Sequence, residues 1–472
     1  MSPVRELVAA AGMTPEILRD STERTDSINE FNAQAGGVRQ IIKGRSVEEV
    51  TPEPAEIGSL SAGEKLAAYL QGVASGERAW TIFGAGRATR MKLPSDFDRL
   101  GIAGLTRQIL RALPVDESKM PAIDQVAPLI DRAATGVFRN GDDLSIIQRE
   151  LFQLRYQFEL LAKDSNEEIP RDDVIRHAVF IVVVNVSNRA AIAKQLAAIQ
   201  FAGLDANNVY FLEQPEVGGE EISGNGTLQW YEGQSWPEGH GEPLIAMGQR
   251  RSGAYRLTDE GGLVELDKPL AAVLKDRGVK DTLFAQVNDL HLMNDIAAVE
   301  RWETALKVMD ESGSRMVMEM VANKVWETLP NGQRARQKGG ATFVDRTGCV
   351  TMRDTVAMKT PDLEQYSRPE HISRMFYIIS IDGLSQLTDD SLPAYLNVRT
   401  TSDKRDVLTR EFYSGDSSSE LDGRTMTEEG FKLHTFKTRK RVPEALQAMD
   451  KQDKQPGFPA ITSSVNHERG IV

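Results

Sequence analysis

The stretch Trp80-Thr81-Ile82-Phe83-Gly84-Ala85-Gly86-Arg87-Ala88-Thr89-Arg90-Met91 decides how this chain is read. An apolar run ends in a turn of small residues, and a Thr-Arg pair follows. This is the pattern of a β-strand feeding a phosphate-wrapping loop. Glycine and alanine let the backbone come close to phosphate oxygens, and successive loop N–H groups form an anion cradle. Arg90 adds a planar, permanently charged fork. The same residues also suit a plain strand-to-helix turn, because Gly-x-Gly turns after strands are common.

Working outward, a second apolar run covers residues 178–186, Ala-Val-Phe-Ile-Val-Val-Val-Asn-Val, and is apolar on both faces as a central parallel strand requires. Further strands are predicted at residues 79–83, 209–212, 282–287 and 315–321, with helices at 188–202 and 295–309 between them. Alternating strands and helices predict a doubly wound α/β sheet with its ligand at the carboxyl ends of the strands. Residues 3–11 and 62–73 have helical apolar spacing, and residues 48–58 form a Pro/Glu-rich connector. From about residue 340 the pattern turns β-rich, with strands expected at 341–344 and 375–381. A polar Ser/Asp-rich stretch follows at 414–422, and the last twenty or so residues read as a loosely held tail. The expected domains are an N-terminal helical segment (1–72), a main domain (73–410) and a small C-terminal region (411–472).

The chain has 472 residues, enough for two or three domains, with 40% hydrophobic and 26% charged residues. A net charge of −13 argues against nucleic-acid binding, which needs a basic surface. The basic run Lys437-Thr438-Arg439-Lys440-Arg441 reads as a solvated face. A single cysteine, Cys349, excludes an intrachain disulfide and fits a reducing compartment. The six histidines show no zinc-ligand spacing. No basic segment followed by an apolar core opens the chain, and no apolar run reaches membrane-spanning length, so a cytoplasmic protein without membrane partners is expected.

Four segments, in order, resemble the UDP-sugar pyrophosphorylase family, most closely its UTP–glucose-1-phosphate uridylyltransferase branch. The first is the loop above, similar to Gly-Gly-x-Gly-Thr-Arg-Met with Ala85 and Ala88 at glycine positions. The second is Val209-Tyr210-Phe211-Leu212-Glu213-Gln214, which looks like the family's Phe-x-Gln strand end. The third is Pro237-Glu238-Gly239-His240-Gly241-Glu242 with Ser252-Gly253 downstream, matching Pro-x-Gly-His-Gly-Asp. The fourth is Val321-Ala322-Asn323-Lys324 followed by Lys338-Gly339-Gly340. The resemblance spans about residues 78 to 400. It implies a Rossmann-like core of the GT-A type, with a mixed, mostly parallel sheet.

The chain also departs from the family. Pro94 is followed by Ser95 where the family has Pro-Lys, with Lys92 two residues earlier. The metal motif reads Gln286-Val287-Asn288-Asp289, which puts Asn288 in strict register and shifts the aspartate by one. The sugar-binding asparagines are missing from Phe376-Tyr377-Ile378-Ile379-Ser380-Ile381-Asp382. Arg399 stands where the family usually carries lysine, and the two are not equivalent as phosphate ligands.

The resemblance implies attack of a sugar-1-phosphate oxygen, glucose-1-phosphate first, on the α-phosphorus of UTP with release of pyrophosphate. The nucleophile is already an anion, so catalysis is positioning plus charge neutralisation, helped by Mg²⁺. Gly84, Ala85, Gly86, Ala88, Thr89 and Arg90 would cradle the triphosphate. Gln214 would read the uracil edge, Gly239 would approach base or ribose, and His240 would donate to a phosphate or sugar oxygen. Lys92, Lys324 and Arg399 would neutralise phosphate charge. Asn323 and Asp354 would bind the sugar phosphate and sugar hydroxyls, and Asp289 the metal. Gln214 and Arg399 also suit plain surface roles. A catalytically silent nucleotide-sugar-binding protein, and a transferase for another base or for a sugar such as N-acetylhexosamine-1-phosphate, remain as alternatives. The short chain after residue 410 leaves little room for the β-helical domain common in the glucose branch, and the oligomeric state is left open.

Overall fold

A computed structural model describes residues 2–36, 62–84, 171–249, 253–286, 296–323, 326–328, 334–336, 339–344, 350–359, 371–401, 403–418, 420–422 and 424–427, together with Ile147, Leu151, Leu154, Arg155, Phe158 and Gly332. The central sheet has nine strands: β1 (Arg78–Phe83), β2 (Val179–Val184), β3 (Val209–Glu213), β4 (Ala254–Leu257), β5 (Leu263–Glu265), β6 (Asp281–Gln286), β7 (Met316–Ala322), β8 (His371–Ser380) and β9 (Arg424–Thr427). Their spatial order is β9-β7-β8-β6-β1-β2-β3-β4-β5. Parallel pairing joins β6, β1, β2 and β3, and also β7 to β9, whereas β8 and β4 run antiparallel to their neighbours. The sheet is therefore mixed and mostly parallel, as the alternating pattern predicts.

The helices are α1 (Pro3–Ala10), α2 (Pro15–Arg19), α3 (Ser21–Ala35), α4 (Ala62–Ala74), α5 (Arg171–His177), α6 (Arg189–Ala198), α7 (Glu242–Gln249), α8 (Leu270–Asp276), α9 (Ile296–Ser312) and α10 (Ile381–Leu384). Helices α4–α10 cover both faces of the central sheet. Leu66 and Tyr69 of α4, Val174 of α5, Leu196 of α6 and Trp302 of α9 join one apolar cluster with Trp80, Phe180 and Phe211. Leu244 of α7, Leu274 of α8 and Leu384 of α10 join a second with Ile181, Leu212 and Tyr377. With both faces covered, every residue of β2 is buried, which explains its unbroken apolar run. Within the first cluster the Trp80 and Trp302 rings lie 5.1 Å apart. Beneath them Trp302 Nε1 donates to Asp281 at 2.5 Å, and burial pushes that carboxyl up to about 6.

A second, antiparallel sheet has four strands, Tyr395–Thr400, Asp406–Glu411, Glu220–Ile222 and Leu228–Trp230 in that order. Helices α1–α3 lie on it, burying Val4, Val8, Leu18 and Ile28 against Leu396 and Leu408. Asn32 of α3 behaves like one more strand residue: its Nδ2 donates to Leu396 O at 2.8 Å and its Oδ1 accepts from Leu396 N at 2.9 Å.

Several element boundaries differ from the sequence pattern. The helix expected over 188–202 stops at Ala198, because Gln200, Phe201 and Ala202 take left-handed φ near 50°. The strand expected to reach 381 ends at Ser380, whose Oγ accepts from Gly383 N and starts α10. The Ser/Asp-rich stretch contains a buried 3₁₀ turn, Ser414–Ser418. The strand Asp406–Glu411 runs across position 410, and β9 from the following segment joins the central sheet.

Candidate functional site

Chain order places β2 and β3 on one side of β1 and β6 on the other, so the sheet's switch point lies between β1 and β6. Crevices outside the carboxyl ends of strands form at such points. Gly84 sits there, directly after β1. Its N–H donates to Val183 O at 2.8 Å, and its carbonyl accepts from Asn188 Nδ2 at 3.1 Å. A Cβ at Gly84 would stand 3.1 Å from Val183 O, so glycine fits a close approach of backbone to backbone. Asn188 is in turn held by Asn185: each side chain accepts from the other's backbone N–H at 2.9 Å. This paired turn caps the end of β2 and presents one amide to β1. Ala85, Gly86, Ala88, Thr89, Arg90 and Lys92 lie outside the described residues, as do Asn288, Asp289, Lys324, Ser252, Lys338, Cys349 and the basic run at 437–441.

Gln214 follows β3, with its N–H on Val184 O at 2.7 Å. Its buried side-chain Nε2 donates to the carbonyl of Gly239. One donor of the amide is thus committed within the protein, and the Phe-x-Gln strand end is tied to the Gly-His-Gly loop. Gly253 anchors the same edge: its carbonyl accepts from Glu213 N at 2.7 Å.

Gly239 has φ 84°, in the left-handed region, and a Cβ there would run into the Phe412 carbonyl. At Gly241 it would stand 2.7 Å from the Tyr413 backbone. The glycines on either side of His240 therefore bring the loop against the backbone of residues 412–413. Phe412 N donates to Glu238 O at 2.7 Å and Gly241 N to Phe412 O at 3.0 Å.

This docking orients His240. Ser414 N–H donates to His240 Nδ1 at 3.0 Å, so the neutral imidazole carries its proton on Nε2. Ser414 Oγ lies 2.8 Å from the same nitrogen and 3.3 Å from Tyr377 Oη, and Ser373 Oγ lies 3.1 Å from Tyr377 Oη. Burial pushes the Tyr377 phenol up to about 12, and the nearby carboxylates of Asp354 and Asp416 act in the same direction. A bulge in the β7–β8 pairing, with Met375 at φ 57°, separates Ser373 from Tyr377. Phe376, Ile378 and Ile379 are core residues, so within this segment Tyr377 contributes the hydroxyl that meets Ser414.

Asp354 is half-buried at the start of a 3₁₀ turn (Thr355–Met358), and its side chain caps no N–H of that turn. Its charge also raises the pKa of Tyr413, which is up chiefly through burial and then through Glu411. The Tyr413 ring meets His240 edge-on at 5.1 Å, so Asp354, His240 and Tyr377 belong to one cluster. Arg399 reaches that cluster indirectly. It is ion-paired with the buried Glu411, which accepts from Tyr413 Oη at 2.8 Å. A cation expected to face phosphate already has a carboxylate partner. Asn323 is buried just after β7, whose last residue Ala322 pairs with His371 at the start of β8.

The residues that sequence reasoning missed are Asn188, Ser414, Tyr377 and Arg353. An Asn-x-x-Asn at the end of an apolar strand was a local signal for Asn188. Ser414 had none, since its partner His240 is 174 positions away. Arg353 lies 3.2 Å from Asp416, and burial, outweighing that guanidinium, pushes the Asp416 carboxyl up to about 7. Among the described residues no three His, Cys, Asp or Glu side chains converge where a metal ion could sit, and no helix is long and apolar enough to cross a membrane. Asp289, the carboxylate that the resemblance assigns to the metal, lies outside the described residues.

No protein-family model matches this chain, and no curated protein matches it. Solved structures do. A protein from Entamoeba histolytica assigned as a UDP-N-acetylglucosamine pyrophosphorylase matches at 13% identity and TM-score 0.52, over 81% of this chain and 80% of its own. The inhibitor-bound uridine diphosphate N-acetylglucosamine pyrophosphorylase of Trypanosoma brucei matches at 13% identity and TM-score 0.51, over 95% and 84%. The likeness is one of architecture: this chain shares its fold with these two UDP-sugar pyrophosphorylases.

Proposed function

We propose that the protein is a nucleotidyltransferase that forms a UDP-sugar and pyrophosphate from UTP and a hexose-1-phosphate. The observation that carries this reading is the hydrogen bond from Gln214 to Gly239 beside His240, at the carboxyl edge of β3. It joins two segments that each resemble the family, on a fold shared with enzymes of that chemistry. In this reading the loop after Gly84 wraps the triphosphate and the sheet is the GT-A-type core. Gln214 and Gly239 flank the uracil, and His240 donates through Nε2 to a phosphate or sugar oxygen. Asp354 accepts from sugar hydroxyls, and Asn323 and Lys324 would bind the sugar phosphate. A bound Mg²⁺, with Asp289 as its proposed carboxylate, would supply charge neutralisation between the two phosphates.

The Gly-His-Gly loop favours glucose-1-phosphate, and the two fold relatives favour N-acetylglucosamine-1-phosphate, so both head the test. The full chain is incubated with UTP, Mg²⁺ and each sugar-1-phosphate, and pyrophosphate release is followed. Release that requires both substrates is expected; none with any pair overturns the proposal. A second reading, a nucleotide-sugar binder without turnover, is favoured by one observation, the neutralisation of Arg399 by Glu411. UDP-sugar binding in calorimetry without pyrophosphate release is its signature.

A further inference from the structure

We propose that the N-terminal helices hold the sugar half of the site in place, through Gly36 at the end of α3; this rests on the reading of Asp354 as a sugar contact. Gly36 has ordinary helical dihedrals, φ −67° and ψ −6°, so glycine is not needed there for the backbone. It is needed for space. A Cβ would lie 2.7 Å from Ala357 Cβ and 3.1 Å from Tyr395 Oη. Ala357 belongs to the turn that Asp354 begins, and its N–H donates to Asp354 O at 3.1 Å. The Gly36 carbonyl also accepts from Nε of Arg353, the residue before Asp354. Arg353 in turn lies 3.2 Å from Asp416, two residues beyond the Ser414 that orients His240. The residue that caps α3 thus touches the segment carrying Asp354 from two sides.

Helix α3 is not free to yield. Arg24 pairs with Asp406 at 2.6 Å, and Asn32 makes two hydrogen bonds to Leu396. A methyl group at position 36 must therefore push the 355–358 turn, and Asp354 with it. The three atoms nearest to that methyl belong to Ala357, Tyr395 and Asn32. The disturbance is directed at the sugar and not at the nucleotide. Gly36 and Arg353 are positioning residues: they act through Asp354.

The test uses the full chain and four variants: Gly36→Ala, Ala357→Gly, the two combined, and Arg353→Lys. The last removes the Nε donor and keeps the charge near Asp416. Gly36→Ala is expected to raise KM for the sugar-1-phosphate about tenfold and leave KM for UTP within about twofold. Adding Ala357→Gly removes the opposing methyl and restores the sugar KM to within about threefold of the parent. Arg353→Lys shifts the same KM in the same direction, and decides the matter if Gly36→Ala does not fold. Unchanged sugar KM in Gly36→Ala and Arg353→Lys, or equal losses for both substrates, overturns the inference while the proposed activity stands. A parent chain without pyrophosphate release on any pair removes the activity, and the inference with it.

Discussion

The two halves of the candidate site are built in different ways. The half proposed to take the nucleotide stands on β1, β2 and β3, neighbouring parallel strands with buried side chains, and its polar residues follow directly where those strands end. The half proposed to take the sugar has no such base. Asp354 comes from a 3₁₀ turn, His240 from a loop pressed on residues 412–414, and Arg399 from the second sheet. Its frame is assembled from Gly36, Arg353, Asp416 and Ser414. A rigid sheet edge fixes its residues through covalent continuity, whereas a composite frame fixes them only while distant segments stay docked. Changes in the first half should act on global stability, and changes in the second on affinity and pH response.

The largest effect tests the sheet. Phe211→Ala deletes a fully buried side chain in β3 and should cost about 3–5 kcal/mol in urea unfolding. The folded remainder should keep its KM values. A loss below about 1 kcal/mol would remove the contrast. Gly239→Ala comes next, since it places a side chain at φ 84° against the Phe412 carbonyl. A cost of about 2–3 kcal/mol is expected, with weakened binding at both halves because this loop joins them; an unchanged melting temperature would contradict the close docking.

Asp416 gives a pH signature. Its carboxyl is raised from the ordinary 3.8 to about 7, so the folded protein binds a proton there more tightly than the unfolded chain. The stability it contributes is fully present below about 3.8 and is lost as pH rises through about 7. Asp416→Asn removes that loss. The variant should gain on the parent, by on the order of 2 kcal/mol, between pH 4 and about pH 8. A difference that stays flat with pH would mean that Arg353 holds the carboxylate ionised throughout. The smallest effect is Ser414→Ala, which keeps the backbone N–H on His240 Nδ1 and removes only the hydroxyl. About 1 kcal/mol in unfolding and a less than tenfold drop in kcat are expected; a total loss of activity would make the hydroxyl more than an orienting contact.

The same contrast governs what could be read beforehand. β1, β2, β3, β6 and β7 were legible to within a residue or two, because strands buried on both faces must be apolar throughout. Gly84 and Gln214 were placed by the strands they follow. His240, Asp354 and Arg399 were named from the resemblance, but the frame that holds them was not legible, since its determinants are long-range. Ser414, Gly415, Asp416, Ser417 and Ser418 are hydrophilic yet all buried. Their polar groups are met from afar: Ser414 by His240, Asp416 by Arg353 and Ser418 by the backbone N–H of Met352. No local periodicity announces such partners. Arg399 shows the converse. Its type suggested a phosphate ligand, and only the fold reveals Glu411 beside it.

The seating of α1–α3 on the second sheet also orders events while the chain is being made. Their apolar stripe, Val4, Val8, Leu18 and Ile28, is made before Leu396, which follows 364 residues after the Asn32 that grips it. At about 5–20 residues per second the interval is roughly 20 to 70 s. For that time these helices lack the Leu396 and Leu408 side chains on which they settle. The sugar half of the site is thus among the last parts to close, and a chain halted shortly before Leu396 would carry a formed β1–β3 edge beside an unclaimed N-terminus.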